Sequence, residues 1–178
     1  MNLREQDLRE IGRRFREELW NTGDLGIAAE VVHPECLIHA RIPFHTDFVR
    51  GPEALGQLVL FYHLAFSEVR VTAEQILVEK GGDGDTVVVR WTARGRNTGD
   101  LLGLPPTGRV AVTSGVDVLR VADGKIVEGW VSWDTLSLLE DLVAPGARER
   151  ETGAAPPGPS FLPLLARLWP TMADPSSN

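Results

Sequence analysis

Apolar residues recur at helical spacing from the start of the chain. Leu8, Ile11, Phe15 and Leu19 stand among Arg and Glu, so residues 3–20 read as an amphipathic helix. Asn21-Thr22-Gly23 stops it, and Asp24 is placed to cap a second short helix running to about Val32. His33-Pro34 ends that one, because proline excludes its predecessor from helical geometry. A short strand over 36–40 and a loop through Phe48 follow. Gly51-Pro52 then opens a third helix, with proline suited to a first turn. Leu55, Leu58, Val59, Tyr62 and Phe66 share one face of it and further apolar residues lie beside them, which predicts burial on more than one side.

From Glu68 the period changes to two. Strands are predicted over 69–79, around 87–94, over 110–121 and over 126–134, and a short helix over 135–143. Val87, Val89, Trp91 and Ala93 share one face of their strand. Asp123-Gly124 is a hairpin signal. In the last strand Ile126, Glu128, Trp130, Ser132 and Asp134 share a face, which Ile126 and Trp130 mark as inward. Three helices followed by consecutive strands predict an α+β fold: a strongly bent antiparallel sheet covered by helices and enclosing a pocket. Trp91 and Trp130 are expected on its concave side. Residues 1–144 read as this domain. Residues 145–178 form a Pro/Gly-rich tail whose apolar segment 161–169 is expected to dock on this subunit or a neighbour.

Composition narrows the function classes. The chain of 178 residues is 43% hydrophobic, enough for a real core. A net charge of −7, with the arginines dispersed among acids, argues against nucleic acid as a partner. One cysteine, Cys36, in an apolar run, excludes an intramolecular disulfide framework and reads as packing. The charged start has no apolar signal core and no stretch approaches the ~20 apolar residues of a membrane span, so a cytoplasmic protein without membrane contact is expected.

Several local signatures occur in a fixed order: Gly51 opening the third helix, Gly95-Arg96-Asn97-Thr98-Gly99, Pro106-Thr107-Gly108-Arg109, and Asp123-Gly124-Lys125-Ile126-Val127-Glu128-Gly129-Trp130 followed by Asp134. With this order of elements, about residues 5–143 resemble the SnoaL-like polyketide cyclases of the nuclear transport factor 2-like superfamily. The resemblance implies a cone with one deep cavity, a homodimer, and acid–base chemistry by side chains alone, without cofactor or metal. The expected substrate is a hydrophobic oxygenated small molecule, cyclised or isomerised. It also implies an acid–base aspartate at Asp134. Family members often carry histidine where this chain has Asn97, so the usual aspartate–histidine pair is incomplete.

Two readings of Asp134 stand side by side: a desolvated carboxylate at the inner end of its strand, or the N-cap of the following helix. His39 is the candidate partner if Leu37, His39 and Arg41 face inward; if Cys36, Ile38 and Ala40 do, it is solvated. Asn97 could orient a substrate oxygen, since an amide carries no proton at neutral pH. Trp91 and Trp130 are expected cavity walls, Tyr62 a hydrogen-bond donor or packing, His63 a substrate contact or a core histidine, and Glu128 a second carboxylate or an ion-pair partner. The spacing of His33, His39, His45 and His63 matches no close metal motif. Beside cyclisation, an epoxide-opening hydrolase or cyclase and a non-catalytic binding protein use the same kind of cavity.

Overall fold

A computed structural model describes residues 4–40, 48–81 and 84–143. The tail predicted to dock, together with His45, lies outside the described residues. The chain opens with α1 (Glu5–Arg13), a π-helical turn (Arg14–Glu18) and α2 (Leu19–Thr22), which together span the predicted first helix. Gly23, at φ 67°, ends it in the left-handed conformation that a side chain disfavours. Asp24 caps α3 (Leu25–Val31), its Oδ1 accepting the Gly26 amide at 2.9 Å. The remaining helices are α4 (Gly51–Ala65), with proline in its first turn, and α5 (Thr135–Val143).

Six strands form one curved, unclosed sheet in the order β2-β1-β6-β5-β4-β3. They are β1 (Val32–Ala40), β2 (Phe48–Arg50), β3 (Phe66–Glu79), β4 (Asp85–Asn97), β5 (Val110–Ala122) and β6 (Lys125–Trp133). β3 to β6 pair antiparallel in sequence order, as predicted, and β2 adds antiparallel to β1 in a segment expected to be loop. The exception is β1, which lies parallel to β6. No hairpin joins these two distant segments, so connection geometry leaves their relative direction free. β1 also begins earlier than predicted. Pro34 falls in the gap in pairing between Val32 and Leu37, where a missing N–H breaks no ladder bond.

Bending comes from irregularities in the ladder. β3 has two register shifts against β4, one around Glu68 at φ 55° and one between Ala73 and Gln75. Each extra residue kinks its strand and adds twist, curling the sheet around the helices. Between the concave face and the helices lies the main core, which includes Leu8, Phe15, Leu19, Val59, Val87, Val89, Leu119 and Ile126. A second cluster under α5 holds Ala65, Phe66, Ala111, Leu138 and Leu142. α4 is less enclosed than its composition predicts, since Leu60 and Leu64 face outward. Among the described residues no helix is long and apolar enough to cross a membrane.

Candidate active site

The concave side of the sheet, the π turn, α2, α4 and Leu138 of α5 surround a cavity that is partly open to solvent. Its walls are mostly apolar and aromatic: Phe15, Trp20, Tyr62, Phe66, Trp91 and Trp133 all contribute. Tyr62 meets Trp133 edge-on, with ring centres 5.7 Å apart, and Trp20 at 5.8 Å. Burial pushes the Tyr62 phenol up from its ordinary value, so it stays protonated at any physiological pH.

One charged side chain is buried against this cavity. Arg16, 4% exposed, donates Nε to Asp117 Oδ2 at 2.6 Å and Nη2 to Oδ1 at 2.7 Å. Asp117 is fully buried and also accepts the Trp91 indole N–H at 3.1 Å. The Arg16 guanidinium carbon lies 4.4 Å from the Trp91 ring centre and 5.1 Å from that of Trp20. Two charges in an apolar core persist only when paired and hydrogen-bonded, and here both carboxylate oxygens are engaged. Arg16 follows Phe15 in the π turn, and both are buried. Neither Arg16 nor Asp117 was singled out from the sequence. Arg16 reads as one more surface charge on an Arg/Glu helix. Asp117 did leave a trace, standing in the period-two row of Leu119 and Val121, yet β5 carries valines on both faces and that row is not distinctive.

The matched relatives now decide the family. A family model described as SnoaL-like polyketide cyclase matches residues 10–142. The chain belongs to the SnoaL-like polyketide cyclase family. It is 36% identical over 109 residues to aklanonic acid methyl ester cyclase DnrD of Streptomyces peucetius, covering 61% of this chain and 72% of that one. Nogalonic acid methyl ester cyclase of Streptomyces nogalater is 35% identical over 109 residues, covering 60% and 76%. Among solved structures, TsrD from Streptomyces laurentii superposes with a TM-score of 0.67 at 26% identity, over 82% of this chain and 99% of that one. IdmH from Streptomyces antibioticus gives 0.63 at 29%, over 76% and 97%. The chain is thus an enzyme of the cyclase type.

Set in this SnoaL-like cavity, the residues singled out from the sequence divide. Trp91 and Tyr62 line it. Trp130 does not: it is 44% exposed, and Trp133 with Val131 takes the inward place. The cause is a register irregularity in β6, where Arg120 pairs Glu128 but Val121 pairs Ile126. The extra residue reverses the alternation, so Ile126 faces in while Glu128 and Trp130 face out. His39 is also on the outer face, since Ile38 and Ala40 line the cavity. Its ring stacks on Trp130 at 5.4 Å, and its Nε2 lies 3.1 Å from Glu128 Oε1. Arg120 donates to the other Glu128 oxygen at 3.0 Å. The His39 and Arg120 contacts hold the Glu128 carboxyl below its ordinary value.

Asp134 is an exposed helix cap. Its Oδ1 accepts the Ser137 amide at 2.9 Å and its Oδ2 the Ser137 hydroxyl at 2.5 Å. These bonds, the hydroxyl first, hold its carboxyl below the usual range, opposite to the rise expected of a desolvated acid. His63 also misses the cavity. Its Nε2 donates to the Trp20 carbonyl at 2.9 Å, and its ring packs under Gly23. Asn97 is fully buried, with its amide committed to the loop that follows β4. The paired aspartate and histidine expected at one site therefore sit apart, on the helix cap and on the outer face of the sheet.

Proposed function

We propose that this protein closes a carbon–carbon ring within one apolar, oxygen-bearing polyketide, as a methyl ester like those named for its relatives. The observation that carries the reading is the aromatic cavity with a single buried, charge-balanced guanidinium at its wall. Flat aromatic substrate surface matches Trp91, Trp133, Tyr62 and Phe66, and Arg16 offers the electrostatic stabilisation that ring closure needs. In such a closure a C–H carbon loses its proton and attacks a carbonyl carbon of the same molecule. The carbonyl π pair becomes an alkoxide, which takes up a proton. No atom is gained or lost and no redox partner is involved. Epoxide opening is less well served: it needs a carboxyl free to exchange protons at the cavity, whereas both oxygens of Asp117 are held by Arg16 and Trp91.

Incubation with aklanonic acid methyl ester and nogalonic acid methyl ester tests the reading. A chromatographically distinct product of unchanged mass is expected from at least one. Folded protein that converts neither above the buffer rate would sink it. In the same assay Asp134→Asn is expected to retain activity within about twofold, because asparagine caps a helix nearly as well as aspartate. A fall of about 10²–10⁴ would instead restore Asp134 as the acid–base group.

A homodimer is part of the proposal. Val112, Val116 and Trp130 stand out on the outer face of the sheet, and a second copy covering them would remove that apolar surface from water. Sedimentation equilibrium at micromolar concentration should return twice the 19.5 kDa chain mass; a monomer mass would rule the dimer out.

A further inference from the structure

We infer that the Arg16–Trp20–Tyr62 wall is an oxyanion-binding subsite, and that the cavity takes an enolisable 1,3-dicarbonyl compound preferentially as its enolate. The inference rests on the cyclase reading for its biological sense, though its test does not require turnover.

Three hydrogen-bond donors on this wall have no partner among the described residues. Arg16 uses Nε and Nη2 for Asp117, and among the described residues its Nη1 has no hydrogen-bond partner. The Trp20 indole N–H is buried and unpartnered. The Tyr62 hydroxyl bonds to no described residue, and burial keeps it protonated. The three side chains are contiguous: Trp20 lies between the other two, its ring centre 5.1 Å from the guanidinium carbon and 5.8 Å from the Tyr62 ring. An unpaired buried donor is unfavourable by about 1–3 kcal/mol, so an arriving acceptor is favoured by relief of that penalty.

All three groups donate, and only the Tyr62 hydroxyl can also accept. A ligand that satisfies them must bring oxygens, and negative oxygens bond to such donors more strongly than neutral ones. Asp117 occupies the Nε and Nη2 edge of the guanidinium, which leaves the Nη1 end for the ligand. An enolate spread over two oxygens suits a wall with donors at both ends, and its delocalised charge loses less hydration than a compact carboxylate would. In the cyclisation the enolate oxygen would rest on Arg16. The Tyr62 O–H would donate to the carbonyl oxygen under attack and pass its proton to the alkoxide that forms there, regaining one from solvent. An alkoxide is a far stronger base than a phenolate, so that transfer runs downhill. The ionisable groups beside this wall are Asp117 from β5 and His63 from α4, and Arg94 of β4 lines the same cavity. His63 holds Trp20 in place by donating to its carbonyl.

Binding of 1-phenyl-1,3-butanedione, whose enolate has its own ultraviolet absorption, tests this on the intact chain. At a pH where the free diketone is mainly un-ionised, the bound form should show the enolate spectrum, its apparent pKa lowered by one unit or more. Trp20→Phe and Tyr62→Phe keep the rings and remove one donor each. Each is expected to cut the preference for the ionised form by about tenfold, the value of one hydrogen bond to a charged group. Naphthalene, which fills the cavity without oxygens, should bind all three proteins within twofold. Equal affinity of the parent protein for the enolate and the neutral diketone would overturn the inference, as would variants that leave the preference intact. Enolate selectivity without conversion of either methyl ester would count against the cyclase reading alone.

Discussion

Asp117→Ala is expected to lower folding stability by about 3–5 kcal/mol, read as a shift in the urea midpoint at unchanged slope. The reason is what stays behind. Arg16, 4% exposed, would keep its charge in an apolar core while losing both hydrogen bonds to Asp117, and Trp91 would lose the acceptor for its indole. That loss is a large fraction of the ~5–15 kcal/mol by which domains of this kind are stable. The double variant Arg16→Met with Asp117→Leu separates structure from function. Replacing a whole buried pair by apolar groups of similar volume is often neutral, or stabilising by about 1–4 kcal/mol. It should therefore fold well and bind naphthalene, yet lose enolate selectivity together with any methyl ester cyclisation. An Asp117→Ala loss below about 1 kcal/mol would mean that the pair is not held in a dry core.

The elements were legible because their periods are clean. α4, β4 and the Asp123-Gly124 hairpin fall where spacing and turn chemistry put them, and the order of motifs located the family before any coordinate did. The site was less legible, for reasons that can be named. Period-two reasoning assumes an unbroken ladder, and one extra residue near Val127 is enough to send Trp130 and Glu128 outward and bring Val131 and Trp133 inward. Gly124 and Gly129 flank Val127, but Gly124 is accounted for by the hairpin turn and neither glycine fixes where the extra residue falls. Likewise Arg16 stands next to the apolar row of Leu8, Phe15 and Leu19 among several helix arginines, and no period marks it as the one turned inward. Asp134 shows the converse: its position before Thr135 already offered the cap reading, and Ser137 donates both its amide and its hydroxyl to that carboxylate. The carboxylate that the resemblance implies, Asp134, is not among the residues that line the cavity.

Asn97→Ala is expected to lower folding stability by about 2–3 kcal/mol, and this separates a structural role from a substrate-binding one. The Asn97 side chain is fully buried and all four of its hydrogen-bonding positions are in use. Nδ2 donates to the carbonyls of Ala65 at 3.1 Å and Gly99 at 2.8 Å. Oδ1 accepts the Thr107 amide at 2.7 Å and its hydroxyl at 3.0 Å. The residue therefore pins the loop between β4 and β5 to the end of α4, and nothing of the amide is left over for a ligand. Alanine would strand the Gly99 carbonyl and the Thr107 amide N–H, each worth about 1–3 kcal/mol when unsatisfied, while the Ala65 carbonyl keeps the Thr98 and Gly99 amides and water recovers part at the exposed Thr107 end. Asn97→Asp sharpens the test. It keeps the shape and the acceptor for Thr107, but sets a carboxylate oxygen against the Ala65 and Gly99 carbonyls, so it should also unfold at lower urea. A substrate-orienting amide predicts the reverse pattern: both variants would unfold at the parent's urea midpoint and lose only affinity or turnover. If the midpoints stay put while methyl ester conversion falls, Asn97 is a binding residue after all, and the loop must be held by other contacts.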